Sequence, residues 1–228
     1  MQGNYKLSQR KSLLPFSGLS VNLIFIIINV AFYLIFLILG FFSNSNCDLT
    51  ICRYIALKPS NILNYQYIWT FFTSMFMHGS FFHLFANMLS LLFLGSFIER
   101  IIGKKRYFWF YLTSGLLAGI FFVLLSFVFT ADIDTFAVGA SGAIFGIAGL
   151  MMILTPNLPL YVMFIPIPIK AKYAIPGLLV VLWLISITGG VPIGNTAHLG
   201  GLIAGLAYGF YLRYKFPNKT RMLGKHFS

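Results

Sequence analysis

Acidic side chains are scarce in this sequence: only four of its 228 residues are Asp or Glu. Charged residues of both signs make up 9% of the chain, whereas a soluble domain usually carries about 25%. Hydrophobic residues make up 59%, and several apolar runs approach the roughly 20 residues that a helix needs to cross a bilayer. This composition excludes an ordinary soluble protein and predicts a chain that crosses a membrane several times.

Cysteine is nearly absent as well, since the chain contains only Cys47 and Cys52. Both lie in one predicted outer loop, where an oxidising environment would allow a disulfide between them. Two free thiols are the alternative, because the short separation of the two residues fixes no geometry that would decide the matter. Zinc needs three or four ligands at suitable spacing, and the sequence has no HExxH motif. We therefore expect no metal site and no cofactor.

The apolar runs predict an all-α membrane protein, a polytopic bundle of six transmembrane helices. The predicted spans are Leu19–Phe42, Phe81–Ile98, Tyr107–Thr130, Ala137–Leu154, Tyr173–Thr188 and Thr196–Tyr214. The segment Leu158–Ile169 is also apolar, but its prolines would break an unsupported helix in lipid, so we interpret it as an interfacial loop. The first span is longer than the apolar region of a signal peptide, and no small-residue cleavage site follows it.

Positive charge dominates: the chain has 16 Lys and Arg residues and a net charge of +12 at pH 7. With six spans and an inner N-terminus, only Arg53 and Lys58 fall on the outer side, as the positive-inside rule favours. We therefore expect both termini in the cytoplasm and attribute the charge to topology, not to a nucleic-acid partner. The predicted organisation is a cytoplasmic N-terminal segment (1–18), a membrane domain (19–214) with an outer loop (43–80), and a basic cytoplasmic tail (215–228).

Polar side chains occur inside the second, fourth and sixth predicted spans, where such groups are costly and usually mark function. His83 and Asn87 are four residues apart and share one face of the second span. Ser141 lies in the small-residue stretch AVGASGAIFGIAG, and His198 lies near the start of the sixth span. Because these three spans run in the same direction, we expect all four side chains in the outer third of the membrane.

Small residues would let two of these spans approach closely. Glycines at GxxxG spacing are Gly142 and Gly146 in the fourth span and Gly201, Gly205 and Gly209 in the sixth. If the two spans face each other, the Ser141 hydroxyl and a neutral His198 imidazole can meet, as a serine nucleophile and its general base must. Each feature alone is also typical of ordinary helix packing, but their shared depth favours a reactive site.

From about Tyr67 to Gly205 the sequence closely resembles the rhomboid family of intramembrane serine proteases. Three family motifs are present, GxSG as Gly139-Ala140-Ser141-Gly142, HxxxN as His83 and Asn87, and AHxxGxxxG as Ala197, His198, Gly201 and Gly205. The loop histidine of the family corresponds to His78, and the glutamate that closes the second span corresponds to Glu99. The order and spacing of these motifs are far more specific than a GxSG motif alone.

The resemblance implies a role for each matched residue. Ser141 would attack the scissile carbonyl, and His198 would act as general base and then as acid for the leaving amine. His83, Asn87 and the backbone N–H of Ser141 would form the oxyanion hole. Phe145 matches the aromatic position that stacks on the catalytic histidine. The family uses a dyad, so we assign no third catalytic member.

The outer loop departs from the family at one point. The family often carries Trp-Arg eight to nine residues before the loop histidine, and here these positions read Trp69-Thr70. Anchoring of this loop at the lipid interface therefore has less support than the catalytic set has. Its aromatic composition favours an interfacial belt over a half-buried lid.

The resemblance thus implies an intramembrane serine endopeptidase that cleaves transmembrane segments of membrane proteins near the outer membrane face. We expect its substrates to carry helix-weakening residues there and a small residue just before the cut. One alternative is a catalytically inactive rhomboid-like protein that binds membrane segments, and another is a transporter that relays protons through His83 and His198. The six-span form implies an integral protein of a prokaryotic plasma membrane.

Overall fold

The computed structural model describes residues 18–43, 52–162, 166–190 and 193–227. These residues are mostly helical. Their elements are α1 Val21–Ser43, α2 Cys52–Ile55, α3 Pro59–Leu63, α4 Thr70–Thr73, α5 Phe81–Ser90, α6 Ser96–Ile102, α7 Lys104–Leu125, α8 Ser141–Leu154, β1 Pro159–Leu160, β2 Ile169–Lys170, α9 Ala171–Gly189, α10 Asn195–Lys215 and α11 Pro217–His226. A π-helical turn, Leu91–Gly95, joins α5 to α6, so that Phe81–Ile102 forms one continuous helix.

The long apolar helices form a membrane-protein bundle. Within the described ranges, four segments are long and apolar enough to cross a membrane, namely Val21–Ile38, Phe81–Ile102, Lys104–Leu125 and Ala171–Gly189. They correspond to the predicted first, second, third and fifth spans. Helix α8 has only 14 residues, and α10 carries polar and basic residues near its ends. The count of six spans and the cytoplasmic termini therefore stay predictions.

One helix boundary differs from the sequence-based prediction in a way that matters for the site. The fourth span was expected to begin at Ala137, but α8 begins at Ser141. Ala137 instead pairs with Leu57 in an antiparallel bridge, and Gly139 has a φ of +112°. Neither conformation is helical, so the helix cannot begin as early as Ala137. Helix α7 likewise ends earlier than expected, at Leu125, because turns follow it.

Helix α8 is the centre of the bundle and packs against α7 and α10. Its side chains Ile147, Leu150 and Met151 are at most 1% exposed. A helix that is apolar on every face must be enclosed by other protein elements or by lipid. Here α8 is enclosed by protein, which leaves its first residue held firmly by its neighbours.

The outer segment, residues 52–80, is built from short helices packed on the bundle. Leu57 and Ala137 exchange two backbone hydrogen bonds of 3.1 and 2.8 Å, and the Gly139 N–H donates to the Ser74 carbonyl at 2.8 Å. Met75 is buried, whereas Trp69 is 51% exposed. The segment therefore has a packed inner face and an aromatic outer face, and it combines features of the lid and of the belt.

The cysteine near the start of this segment is buried. Cys52 is the first residue of α2 and packs with Ala56 and Met77. It is not a free thiol. Cys47 lies outside the described residues, so its pairing with Cys52 stays a prediction.

The apolar segment between α8 and α9 forms a short hairpin. Strands β1 and β2 pair antiparallel, with Pro159 opposite Lys170 and Leu160 opposite Ile169. This pairing satisfies backbone groups without a helix, as expected for a proline-rich stretch. The interpretation of Leu158–Ile169 as a loop is consistent with this hairpin, which adds a small β element to the predicted all-α fold.

The end of the bundle farthest from the start of α8 is closed by a carboxylate and by a terminal helix. Glu99 is 6% exposed and accepts hydrogen bonds from Ser20 Oγ at 2.5 Å and from the backbone N–H groups of Val21 and Asn22 at 2.9 Å. Helix α11 follows α10 directly, and its Leu223 packs against the main apolar core. The predicted basic tail is therefore helical over most of its length.

Candidate active site

Ser141 is the half-buried first residue of α8, a buried helix. The residue before it, Ala140, provides no side-chain cap, and the Ile144 N–H donates to the Ala140 carbonyl at 3.0 Å. The N–H groups of Ser141, Gly142 and Ala143 therefore have no acceptor within α8. They also lie at the positive end of the helix dipole. A negative charge that develops beside Ser141 would meet backbone donors already in place.

His198 lies in the first turn of α10, directly beside this serine. Its Nε2 atom is 2.8 Å from Ser141 Oγ. The imidazole is 7% exposed and stacks on the Phe145 ring, with a centroid distance of 4.6 Å and an interplanar angle of 20°. Its Nδ1 atom has no hydrogen-bond partner among the described residues. In the tautomer that carries the proton on Nδ1, the Ser141 hydroxyl donates to Nε2, as a nucleophile donates to its base.

Glycine contacts bring α8 and α10 together at the depth of this pair. A Cβ atom built on Gly201 would overlap the Gly142 carbonyl oxygen, and one built on Gly205 would overlap the Gly146 carbonyl oxygen. The two backbones therefore touch directly, as GxxxG spacing predicts. Because the contact begins at Gly142, the residue directly after Ser141, it fixes how closely the hydroxyl and the imidazole approach.

His83 and Asn87 lie against the residue that leads into Ser141. A Cβ atom built on Gly139 would lie 2.7 Å from His83 Nε2 and 3.8 Å from Asn87 Nδ2. The Ser80 hydroxyl caps α5 by accepting from the His83 N–H at 3.2 Å, which sets the start of that helix. Asn87 Nδ2 donates to the His83 carbonyl at 2.8 Å. The structure thus brings both side chains to the N-terminal end of α8.

His78 is a buried histidine next to this group. It precedes α5 and is 5% exposed, and its ring centroid lies 5.1 Å from that of His83. Burial, together with the smaller effect of the neighbouring His83, lowers the pKa of His78 to about 4. His78 is therefore neutral at physiological pH and contributes an aromatic surface instead of a charge.

Other predicted residues lie elsewhere. Glu99 is 16 positions after His83 on the same continuous helix, about 24 Å along its axis at 1.5 Å per residue, so it does not belong to the site. At the family's usual Trp-Arg positions, Trp69 Nε1 donates to the Tyr54 carbonyl and Thr70 is buried, with Oγ1 donating to the Tyr67 carbonyl. These bonds hold the outer segment where an arginine was expected.

Sequence reasoning missed two supports of the site. Thr196 Oγ1 donates to an Asp132 carboxylate oxygen at 3.0 Å, which ties the first turn of α10 to the loop after α7. Helix α7 contributes the second support, since a Cβ on Gly142 would lie 2.6 Å from the Ala118 Cβ. The small-residue spacing of Ser114 and Ala118 is the signal that could have revealed the second contact. The first joins residues 64 positions apart and has no local signal.

Comparisons with known proteins identify the family of this chain. A family model described as the Rhomboid domain matches residues 65–215. The chain is 35% identical over 168 residues to RHOMBOID-like protein 1 of Arabidopsis thaliana, covering 72% of this chain and 39% of that protein. It is 31% identical over 143 residues to the mitochondrial Rhomboid protein 1 of Saccharomyces cerevisiae, covering 61% and 40%. It is 33% identical over 162 residues to Inactive RHOMBOID-like protein 8 of Arabidopsis thaliana, covering 70% and 42%. The chain therefore spans less than half the length of these curated relatives.

Proposed function

The chain belongs to the rhomboid family, and on that premise we propose that it is an active intramembrane serine protease with a Ser141–His198 dyad. Its substrates are transmembrane segments of other membrane proteins, and cleavage occurs near the outer membrane face. The observation that carries the proposal is the 2.8 Å distance between Ser141 Oγ and His198 Nε2 in a protein-enclosed setting.

The proposed reaction begins with transfer of the Ser141 proton to His198 Nε2 as Oγ attacks the scissile carbonyl. The same imidazole then protonates the leaving amine, and a water molecule activated by His198 releases the acyl group. The tetrahedral oxyanion is stabilised by the backbone N–H of Ser141, the first residue of α8, together with the side chains of His83 and Asn87. Phe145 supports the imidazole from one face and keeps it directed at Ser141.

No carboxylate orients His198 in this proposal. Among the described residues, Asp132 accepts from Thr196, Asp134 pairs with Lys58 at 2.9 Å, and Glu99 caps α1 at the far end. Stacking on Phe145 and close packing of α10 on α8 take the place of a third member. The proposed enzyme is therefore a dyad protease.

The substrate must unwind before attack, because a helix shields its own carbonyl groups with intrahelical hydrogen bonds. We propose substrates with Gly, Ser, Ala or Pro near the outer end of their span, where helix stability is lowest. A small residue just before the cut follows from the family resemblance. The location of the site at helix ends supports this choice, since water must reach it.

A membrane-segment binding protein without activity is the second candidate, and the relative named as inactive gives it a basis. Retention of both Ser141 and His198 at hydrogen-bonding distance favours the active enzyme. An integral membrane location is supported by the apolar helices and the family. The more specific prokaryotic plasma membrane stays a prediction, since the relatives described above come from a plant and from yeast.

The test is cleavage of a model transmembrane substrate by the purified chain in detergent or liposomes. We expect Ser141→Ala and His198→Ala to reduce cleavage to the uncatalysed background, and Asn87→Ala to slow it by about 10²–10³-fold, as for an oxyanion donor. Ser90→Ala is the matched control, because Ser90 is half-buried and its hydroxyl donates to the Ala86 carbonyl of its own helix. Binding without cleavage by the unaltered chain would support the inactive alternative and contradict the proposal.

A further inference from the structure

Three cations converge on one aromatic ring at the end of the bundle that carries α11. The Phe216 ring centroid lies 5.6 Å from Arg106 Cζ, 5.9 Å from Lys215 Nζ and 6.0 Å from Lys219 Nζ. These residues come from the start of α7, the end of α10 and the start of α11. We name Arg106, Lys215, Lys219 and Phe216 the cationic cluster.

The cluster has no carboxylate to balance it among the described residues. Glu99 is occupied by three donors at the start of α1. Asp132 and Asp134 lie beside the first turn of α10 and the start of α3. Lys215 lies 20 positions after Asn195, the first residue of α10, and therefore about 30 Å along the helix from that end at 1.5 Å per residue. Because like charges at short range repel one another, the cluster is arranged to receive an anion.

Apolar surface lies directly on both sides of Arg106. A groove of about 390 Å³ runs between α7 and α10 and is lined by Lys105, Arg106, Trp109, Phe110, Thr113 and Tyr208. From Lys105 to Thr113 it extends about 12 Å along α7. A second cavity of about 230 Å³ is lined by Arg106, Lys219, Phe216 and aliphatic side chains that include Leu154, Leu212 and Leu223.

From this arrangement we infer a binding site for an anionic glycerophospholipid, with its phosphate on Arg106 and Lys219 and an acyl chain along the groove beside Trp109. Guanidinium and ammonium groups are the donors that proteins use for phosphate. Basic pockets between membrane helices bind anionic headgroups. A free anion would use only the cations, whereas an amphipathic lipid fills the apolar groove as well. The site lies at the opposite end of α10 from His198, so it is separate from the dyad.

Trp109 provides a direct probe of the groove. The chain with Trp69→Phe and Trp183→Phe keeps Trp109 as its one tryptophan, and it is placed in phosphatidylcholine liposomes. Lipids with brominated acyl chains quench a tryptophan that they touch. We expect brominated phosphatidylglycerol to quench Trp109 more than brominated phosphatidylcholine does at the same mole fraction. Equal quenching by the two lipids would overturn the inference.

Matched variants separate the site from general surface charge. Arg106→Gln and Lys219→Gln should each lower the relative affinity for the anionic lipid about fivefold, as expected for loss of one cation near the headgroup. Arg100→Gln removes an equal charge from an exposed position that lines neither cavity, and it should leave the preference unchanged. A similar effect in all three variants would indicate diffuse attraction and contradict the site.

A second measurement uses the chain with its tryptophans unaltered. Native mass spectrometry after release from mixed phosphatidylglycerol and phosphatidylcholine micelles should show retained phosphatidylglycerol, with less retained in Arg106→Gln than in Arg100→Gln. Displacement of this lipid by inorganic phosphate, beyond the effect of chloride at equal ionic strength, would identify a free-anion site and overturn the inference. Neither readout depends on proteolysis, so failure here and failure of the proposed function are distinguishable.

Discussion

Ser141 and His198 meet because glycines stand where any larger residue would push their helices apart. Gly201 and Gly205 leave no room for a Cβ atom against the backbone of α8. The Phe145 ring then stacks on one face of the His198 imidazole and fixes its plane. At the scale of the residue, Ser141 and His198 are therefore held together by glycines and by an aromatic ring.

We expect Gly139→Ala to damage the site more than its small size suggests. A side chain at a φ of +112° is strained, and the new Cβ would lie 2.7 Å from His83 Nε2. Strain of this kind costs about 1–3 kcal/mol, and displacement of His83 should lower the cleavage rate of a model substrate by about 10²-fold, as for a lost oxyanion donor.

Gly79→Ala is the matched control for this variant, because a Cβ on Gly79 meets nothing within 4 Å. It should keep both the rate and the apparent Tm. If Gly139→Ala were as active as Gly79→Ala, the proposed contact between Gly139 and His83 would have no catalytic importance.

The residue scale is also where the sequence was most informative and where its limits are clearest. The motif spacing predicts that Ser141, His198, His83 and Asn87 share one end of three helices, and the structure brings all four there. It does not predict the bond from Thr196 to Asp132, because that contact depends on how a distant loop folds. Roles in catalysis stay predictions until the variants are measured.

Helices that carry the site differ in how their ends are stabilised. Helix α8 has 14 residues and a length of about 21 Å, which is shorter than the hydrocarbon core of roughly 30 Å. The non-helical residues 137–139 before it cover part of the remaining distance, and the Ala137 and Gly139 N–H groups donate to carbonyls of the outer segment. Hydropathy could not locate this boundary, because the residues before Ser141 are as apolar or small as those that follow it.

At the scale of the element, Glu99 is expected to hold the first helix in place. Its carboxylate accepts from Ser20 Oγ and from two backbone N–H groups at the start of α1. Glu99→Gln removes the negative charge. It also replaces one accepting oxygen with an NH₂ group, which cannot accept from the donors at the start of α1. Since a hydrogen bond to a charged group contributes about 1.5–3 kcal/mol, we expect a loss of about 2 kcal/mol and a lower apparent Tm by circular dichroism.

A surface carboxylate offers the comparison for this prediction. Asp134 pairs with Lys58 at 2.9 Å, but its side chain is 71% exposed. Exposed ion pairs contribute little, so Asp134→Asn should leave the apparent Tm nearly unchanged. A Tm for Glu99→Gln equal to that of Asp134→Asn would show that the buried cap does not stabilise α1.

The whole molecule joins its outer segment to its bundle through backbone hydrogen bonds. The amides of Leu57, Ala137 and Gly139 lie outside helices, yet each donates to a carbonyl of the other part. We expect hydrogen–deuterium exchange to show these amides as protected as amides within α4, because they open only when the outer segment leaves the bundle. Rapid exchange at all three, with α8 still protected, would show that the outer segment opens independently.

This junction is also the part of the fold that the sequence could not provide. Hydropathy locates the long helices because each of them satisfies its backbone hydrogen bonds within its own segment. The short helices of the outer segment depend on partners about 65 to 80 positions away, such as Ala137 for Leu57 and Gly139 for Ser74. The aromatic composition of the outer segment therefore predicted only an interfacial belt. Its packed inner face depends on these distant contacts and is seen only in the structure.

The uncapped start of α8 has a consequence for anyone who engineers this protein. Replacing Ala140 with Ser or Asp is a standard route to a more thermostable helix, since such residues accept from the first free N–H groups. Here those N–H groups are the ones that the proposed reaction intermediate requires. A stabilising mutation at this position would compete with the substrate, so position 140 should be left out of any consensus or thermostability library.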